Sequence, residues 1–223
     1  TDAASYMMAT KNDGTLWTWG SNNYGQLGTN ENGPSNKSSP VQIPGTTWNS
    51  GHLSRCGPGR CMAVKTDGTL WTWGYNGWLG GLGNNSPDKA HRSSPIQVPG
   101  TTWRSVAGSS GAMFATKADN TLWSWGQGSH GALGHNNDNV YSSPRQVGIA
   151  HDISTSDVYS TTPGHLATGN QTVASIRTDG TLWMWGTGEY GILAQNSQVK
   201  YSSPIQVGES KDWTNVGMTP RST

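Results

Sequence analysis

The chain has 223 residues, long enough to bury a full core, and its 14 Lys and Arg against 13 Asp and Glu leave a net charge of +1. With no basic block to track phosphates a nucleic-acid partner is disfavoured, and no run of 18 apolar residues is present to span a membrane as a helix. Only 12% of residues are charged and 32% hydrophobic, yet 12 Trp and 7 Tyr stand beside a single Phe, so burial rests on a few large rings rather than being absent, as in a disordered chain.

In chain order, the first extended run is Tyr6-Met7-Met8-Ala9-Thr10-Lys11, followed by Asp13-Gly14-Thr15-Leu16-Trp17-Thr18-Trp19-Gly20. An Asp-Gly pair between extended runs predicts a hairpin, here a two-residue type I′ corner with positive φ at both central positions. Leu-Trp-x-Trp then predicts a strand with both indoles on one face and Leu on the other, and therefore burial on both faces. The glycine-punctuated Asn22-Asn23-Tyr24-Gly25-Gln26-Leu27-Gly28 must return the chain sharply. Ser38-Ser39-Pro40 opens a further strand, with Pro where no ladder donor is lost, and Trp48 begins the last one.

This order then repeats. Asp67 to Gly74 is identical to Asp13 to Gly20, and Asp119 to Gly126 and Asp179 to Gly186 follow the same pattern, so the first Trp recurs after 54, 52 and 60 residues. Ser-Ser-Pro returns at 93–95, 142–144 and 202–204, and a Trp follows at 103 and 213, with Asp152-Ile153 in its place in the third copy. Asn120 replaces the corner Gly in the third copy, and Asn is the next residue to tolerate positive φ. Units of 40–60 residues made of short strands with a Trp signature predict propeller blades: an all-β, four-bladed β-propeller in one domain over 1–223, with repeats at about 6–48, 61–103, 113–153 and 173–213. A β-solenoid is the alternative.

Lys-x-Asp-Gly-Thr-Leu-Trp-x-Trp-Gly followed by x-Asn-x-x-Gly-Gln-Leu-Gly resembles the RCC1 repeat, in its Trp-rich bacterial and phage-borne version, over essentially the whole chain. The resemblance implies a propeller but leaves the task open, because this family includes a chromatin-bound exchange factor for a small GTPase, a secreted β-lactamase inhibitor and phage virion proteins. Ser5, Arg60, Gly111-Ala112 and Thr172 stand where the family often has His, Ala194 ends the fourth glycine motif, and no exchange-factor residue carries over. The family's rings usually have seven blades. Here the chain starts inside a unit and stops after Trp213-Thr214-Asn215-Val216, so joining its ends regenerates one unit. A closed four-bladed ring is the preferred reading and an arc of a larger assembly the alternative; the start at Thr1 suggests a processed or trimmed product.

The candidate site lies in the loops. Asp13, Asp67, Asp119 and Asp179 are committed to the corners, the other acids are scattered, and no zinc spacing, Walker loop or nucleophile elbow appears, so neither enzyme chemistry nor a metal or cofactor is expected. His130 and His135 beside Asp138 make at most a weak metal set. Tyr24, His130 and Tyr190 precede a return-loop Gly, with Trp78 close to that place in the second copy, which predicts an aromatic arc on one face for binding protein or stacking on sugar; the alternative is rings packed under their own loops. Two insertions offer further contacts, one with Arg55 and Arg60, the other, 154–170, with Tyr159 and His165. Cys56 and Cys61 flank a Gly-Pro-Gly-Arg turn and are either a local disulfide or two thiols. The expected role is a non-enzymatic binding or structural propeller, extracellular or on a virion surface, joining proteins, its own copies or a surface glycan. An intracellular regulator of a small GTPase and a secreted enzyme inhibitor are the alternatives.

Overall fold

The computed structural model describes residues 5–31, 35–56, 59–77, 80–86, 88–109, 111–148 and 166–218, with only the backbone path for 50–56. Among these described residues, fifteen strands form four antiparallel sheets. The first holds β1 (Tyr6–Thr10), β2 (Leu16–Gly20) and β3 (Lys37–Ile43); the second holds β4 (Trp48–Cys56), β5 (Arg60–Lys65), β6 (Leu70–Gly74) and β7 (Arg92–Val98). The third holds β8 (Trp103–Gly108), β9 (Ala112–Lys117), β10 (Leu122–Gly126) and β11 (Tyr141–Gln146). The fourth holds β12 (Leu166–Thr168), β13 (Thr172–Ile176), β14 (Leu182–Gly186) and β15 (Tyr201–Gln206). Successive sheets touch through β1 on β4, β4 on β8 and β8 on β12.

Sheet and repeat are offset by one strand. The Trp-led strand that closes a repeat opens the next sheet: β4 pairs with β5 from Trp48↔Lys65, and β8 with β9 from Trp103↔Lys117. The first sheet accordingly has three strands among the described residues, and β1 is its edge.

The hairpin corners differ from the type I′ expectation. Gly14, Gly68, Asn120 and Gly180 have φ of 77°, 77°, 64° and 80°, whereas the preceding Asp residues do not have positive φ. Gly14 N–H donates to Lys11 O at 3.0 Å and Lys11 N–H to Thr15 O at 2.9 Å, so the loop is three residues long: a tight turn closed by one left-handed residue. The cause is the Asp side chain. Asp13 Oδ1 accepts from the Thr15 amide at 3.0 Å and from its hydroxyl at 2.6 Å, and that hydroxyl accepts from Trp17 Nε1 at 2.8 Å. The same relay recurs at 67–69–71, 119–121–123 and 179–181–183. It satisfies the first indole at the sheet margin, and bonding to Thr holds each Asp carboxyl below its ordinary range.

The Leu-Trp-x-Trp strands are packed on both faces, as expected. Leu16, Leu70 and Leu122 are buried on one side, and Trp73, Trp125 and Trp185 are fully buried on the other. Between them a short hydroxyl ties strand to return loop: Thr18, Thr72 and Ser124 donate to the carbonyls of Leu27, Leu82 and Leu133 at 2.8, 2.7 and 2.7 Å. In the fourth sheet Met184 takes this position, and Gln195 Nε2 donates to Leu193 O at 3.3 Å instead. Replacing Thr72 by Val leaves a buried carbonyl without its donor; stability is expected to fall by about 1–2 kcal/mol, read as a lower urea midpoint with unchanged slope. An unchanged midpoint would show that the hydroxyl strut does not stabilise the sheet.

Candidate binding site

The return loops join one sheet to the next, and each joint uses the same parts. Gly25, Gly80 and Gly131 have φ of 76°, 81° and 72°. A Cβ at Gly25 or Gly80 would lie 2.6 Å from Ser93 Cα or Ser142 Cα of the following sheet, and one at Gly131 would be closer still to Ser202 Cα. Glycine is required here because two backbones meet. Beside each glycine a left-handed Asn locks the contact: Asn30, Asn85 and Asn136 donate their amides to the carbonyls of Ser93, Ser142 and Ser202 at 2.7, 2.8 and 2.7 Å. The second indole of a sheet reaches back, Trp73 Nε1 to Gln26 O and Trp185 Nε1 to Ala132 O, both at 2.9 Å.

The connecting Trp completes the first two joints. Trp48 packs against Trp71 and Trp73, with ring centroids 6.4 and 6.1 Å away, and Trp103 against Trp123 and Trp125 at 6.0 and 6.4 Å. Lys65 Nζ lies over Trp48 and Trp71 at 4.9 and 4.2 Å, and Lys117 over Trp103 and Trp123 at 4.8 and 4.1 Å. Trp48 and Trp103 are thereby buried, whereas Trp213, the equivalent ring after the fourth sheet, is 41% exposed.

The predicted aromatic arc separates into buried and open members. Tyr24 is half-buried and reaches across the first joint to Tyr75 and His91, at centroid distances of 4.9 and 5.2 Å. It is joint packing, rather than the free ring of a binding face. His130 and Tyr190 occupy left-handed positions at φ 59° and 60°. Both line one open cleft of about 640 Å³ on the fourth sheet, with Met184, Ile192, Val216 and Met218. Tyr190 is 79% exposed and Ile192 47%. Trp78, Tyr159 and His165 lie outside the described residues. The cleft was not read from the sequence; its signal was Met184 standing where the other copies have Thr or Ser.

The insertion residues are also redistributed. Arg60, expected in an exposed loop, opens β5 and is fully buried. Its Nε donates to Tyr75 O at 3.2 Å, its guanidinium lies 5.3 Å from the Tyr75 ring, and its carbonyl accepts from Tyr6 Oη at 2.6 Å. That network makes it a core strut between the first two sheets. Arg55 lies in β4 opposite Cys61, and Cys56 opposite Arg60; their side chains are outside the described part, so the disulfide pairing is too. The Cys61 thiol is buried and donates to Gln26 O at 3.2 Å.

The His130, His135 and Asp138 set does not converge. Asp138 pairs at 2.6 Å with Lys200, which immediately precedes β15, and this holds its carboxyl below the ordinary range. His135 sits edge-on to Tyr141, and its Nε2 is 2.9 Å from Ser124 Oγ. Burial, helped by Arg145, lowers its pKa from 6.5 to about 4. Above pH 6.5 His135 is neutral in both states; as pH falls, the unfolded chain takes a proton that the folded chain refuses until about pH 4. Stability is therefore expected to decline between those values, and His135→Gln to flatten that part of the profile. A pH titration of the unfolding midpoint checks this, and an identical decline in both proteins would exclude His135 as its source.

The sheets and their joints define a β-propeller architecture. The regulator of chromosome condensation (RCC1) repeat matches residues 13–64 and 119–159. Protein RCC2 homolog of Danio rerio is 28% identical over 87% of this chain and 42% of its own length. The structure of human WBSCR16 superposes with TM-score 0.74 at 19% identity, over 95% of this chain and 53% of that one. Prp20p from Saccharomyces cerevisiae, in a structure described with its binding properties to Gsp1p and histones, gives TM-score 0.70 at 17% identity, over 92% and 49%. The chain is thus a β-propeller whose repeats are similar to RCC1 repeats. It spans less than half the length of the curated relatives it matches.

Proposed function

We propose that this chain is a non-catalytic, protein-binding propeller whose contact surface is the open cleft of the fourth sheet. The observation that carries the reading is Tyr190: a ring 79% exposed at the rim of an apolar cleft, at the place where Tyr24 of the first repeat is covered by the next sheet. A rigid ring beside Ile192 and Met218 offers much contact area at small entropic cost, which suits an interface anchor. Low charge and loops rich in Asn, Gly, Ser and Thr support display outside a cell, on a virion or as a secreted binder, where the same ring would also suit a glycan.

A photo-cross-linking residue at position 190 is expected to trap a polypeptide that the same residue at exposed Lys89 does not, and Tyr190→Ala to weaken that complex at least tenfold, about 1.4 kcal/mol or more. Equal trapping from both positions, or binding of glycan alone, would remove the reading. A second reading, an intracellular regulator, is supported by the likeness to Prp20p, whose structure was determined together with its binding properties to Gsp1p. It requires that a nucleotide-free small GTPase bind this chain and that its nucleotide release accelerate.

A further inference from the structure

The first and second return loops each begin on an asparagine two residues after a strand's closing glycine, and each asparagine is tied down by the stretch that leads into the sheet's last strand. Asn22 is buried; its backbone N–H donates to Asn36 Oδ1 and its Nδ2 to Ser35 Oγ, both at 2.9 Å. Asn76 is likewise buried; its backbone N–H donates to His91 Nδ1 and its Nδ2 to Asp88 O, both at 3.0 Å. The third and fourth loops have Gly128 and Gly188 at this place, where a Cβ would strike the carbonyl of Asn139 or Val199. Of the two side-chain tethers, only the second contains a group that titrates near neutral pH.

An imidazole nitrogen accepts a backbone N–H only while it carries no proton, so this bond requires a neutral His91 with its hydrogen on Nε2. A proton on Nδ1 would set two donors against each other. The same ring belongs to the first joint: its centroid lies 5.0 Å from that of Tyr75 in the second loop and 5.2 Å from that of Tyr24 in the first, with the two tyrosines 4.9 Å apart. Behind Tyr75, the Arg60 guanidinium of β5 lies 5.3 Å from its ring. On His91's own stretch, Asp88 is committed to Arg92 at 2.7 Å and to the Ala90 amide at 3.1 Å, and Lys89 is exposed. Burial lowers the pKa of His91 from the ordinary 6.5. The second loop also has less to hold it than the first. Asn22 Oδ1 accepts from the Leu27 amide at 3.0 Å, whereas Asn76 Oδ1 is buried without a hydrogen-bond partner among the described residues.

We infer that the second return loop is a latch, held shut by neutral His91 and opened by acid: protonation frees the Asn76 amide from its tether and takes His91 out of its contacts with Tyr24 and Tyr75, loosening the rim of the first joint. Well above pH 6.5 the ring is neutral whether the loop is closed or open, and the tether holds. As pH falls, the open form, with its ring in water, takes a proton that the closed form refuses, and the balance moves toward the open loop. At the first loop an amide oxygen, which does not titrate, fills the same role, so acid acts on one loop and spares its neighbour. The latch is separate from the fourth-sheet cleft and does not depend on what binds there.

Amide hydrogen exchange resolved by residue tests this, each rate being taken relative to that of an unfolded chain at the same pH. Between about pH 7.5 and about pH 5, protection of the Asn76 amide is expected to fall about tenfold or more, with the midpoint of the His91 ring's own titration, while protection of the Asn22 amide stays constant. Asn22 thereby separates local opening from any general loss of stability through His135. His91→Asn places the first sheet's acceptor in the second sheet, with Oδ1 as far along the side chain as Nδ1, and is expected to keep Asn76 protected at both pH values. Constant protection of Asn76 in the wild-type chain, a fall shared with Asn22, or a fall that persists in His91→Asn would overturn the latch. So would a neutral His91 ring that carries its hydrogen on Nδ1, read from its nitrogen chemical shifts. If the variant does not fold, the wild-type midpoints decide: coincidence of Asn76 opening with the His91 titration supports the latch, and separation of the two overturns it.

Discussion

Close approach of two backbones across each inter-sheet joint is the constraint on which the rest of this fold depends. At each of three joints a left-handed glycine lies under the Cα of a serine in the next sheet, and a left-handed asparagine bonds that serine's carbonyl. Any side chain on the glycine would part the sheets, and parting them would expose the indoles packed between. The abundance of Gly and Asn in this chain follows from that geometry. So does its tolerance of few aliphatic residues, since Trp rings with both an apolar body and a donor fill the joints.

Those indoles show how a low-hydrophobicity chain can stay packed. The first Trp of each repeat is held through Thr to a corner Asp, and the second is buried in the second, third and fourth sheets, donating to a preceding return loop at two joints. Those rings therefore bring their own polar satisfaction, which avoids the cost of burying an orphaned N–H, whereas the Nε1 groups of Trp48, Trp103 and Trp125 are buried without a hydrogen-bond partner among the described residues. Lysines laid over paired rings extend the same economy, covering apolar surface with their stems while their ammonium groups meet ring faces. A propeller built this way needs little from Leu, Ile or Phe.

Equivalent positions of the repeat differ in their surroundings. Tyr24 packs against Tyr75 of the next sheet, whereas the corresponding ring of the fourth repeat, Tyr190, is exposed at the rim of the cleft. Substitution of Met184 for the hydroxyl of the other copies makes that cleft more apolar, so the fourth sheet is distinguished both by its position and by its chemistry.

Much of this architecture was determined by local sequence. Alternation within Leu-Trp-x-Trp, the Asp-Gly and Asp-Asn corners and the spacing of Ser-Ser-Pro specify strands, turns and a repeat, because each depends on neighbours within a few residues. The corner type was misread, as the Asp side chain's bonds to Thr select a three-residue loop over a two-residue one. The destiny of Arg60, Tyr24 and His135 was decided only by tertiary structure. Each is a polar or aromatic residue in a loop-like context, and only the sheet that packs over it, through Tyr75, His91 or Tyr141, determines whether it faces protein or solvent. The offset between repeat and sheet was set in the same way: a Trp-led strand carries no local mark of the sheet it joins, and hydrogen bonding to the following hairpin assigns it.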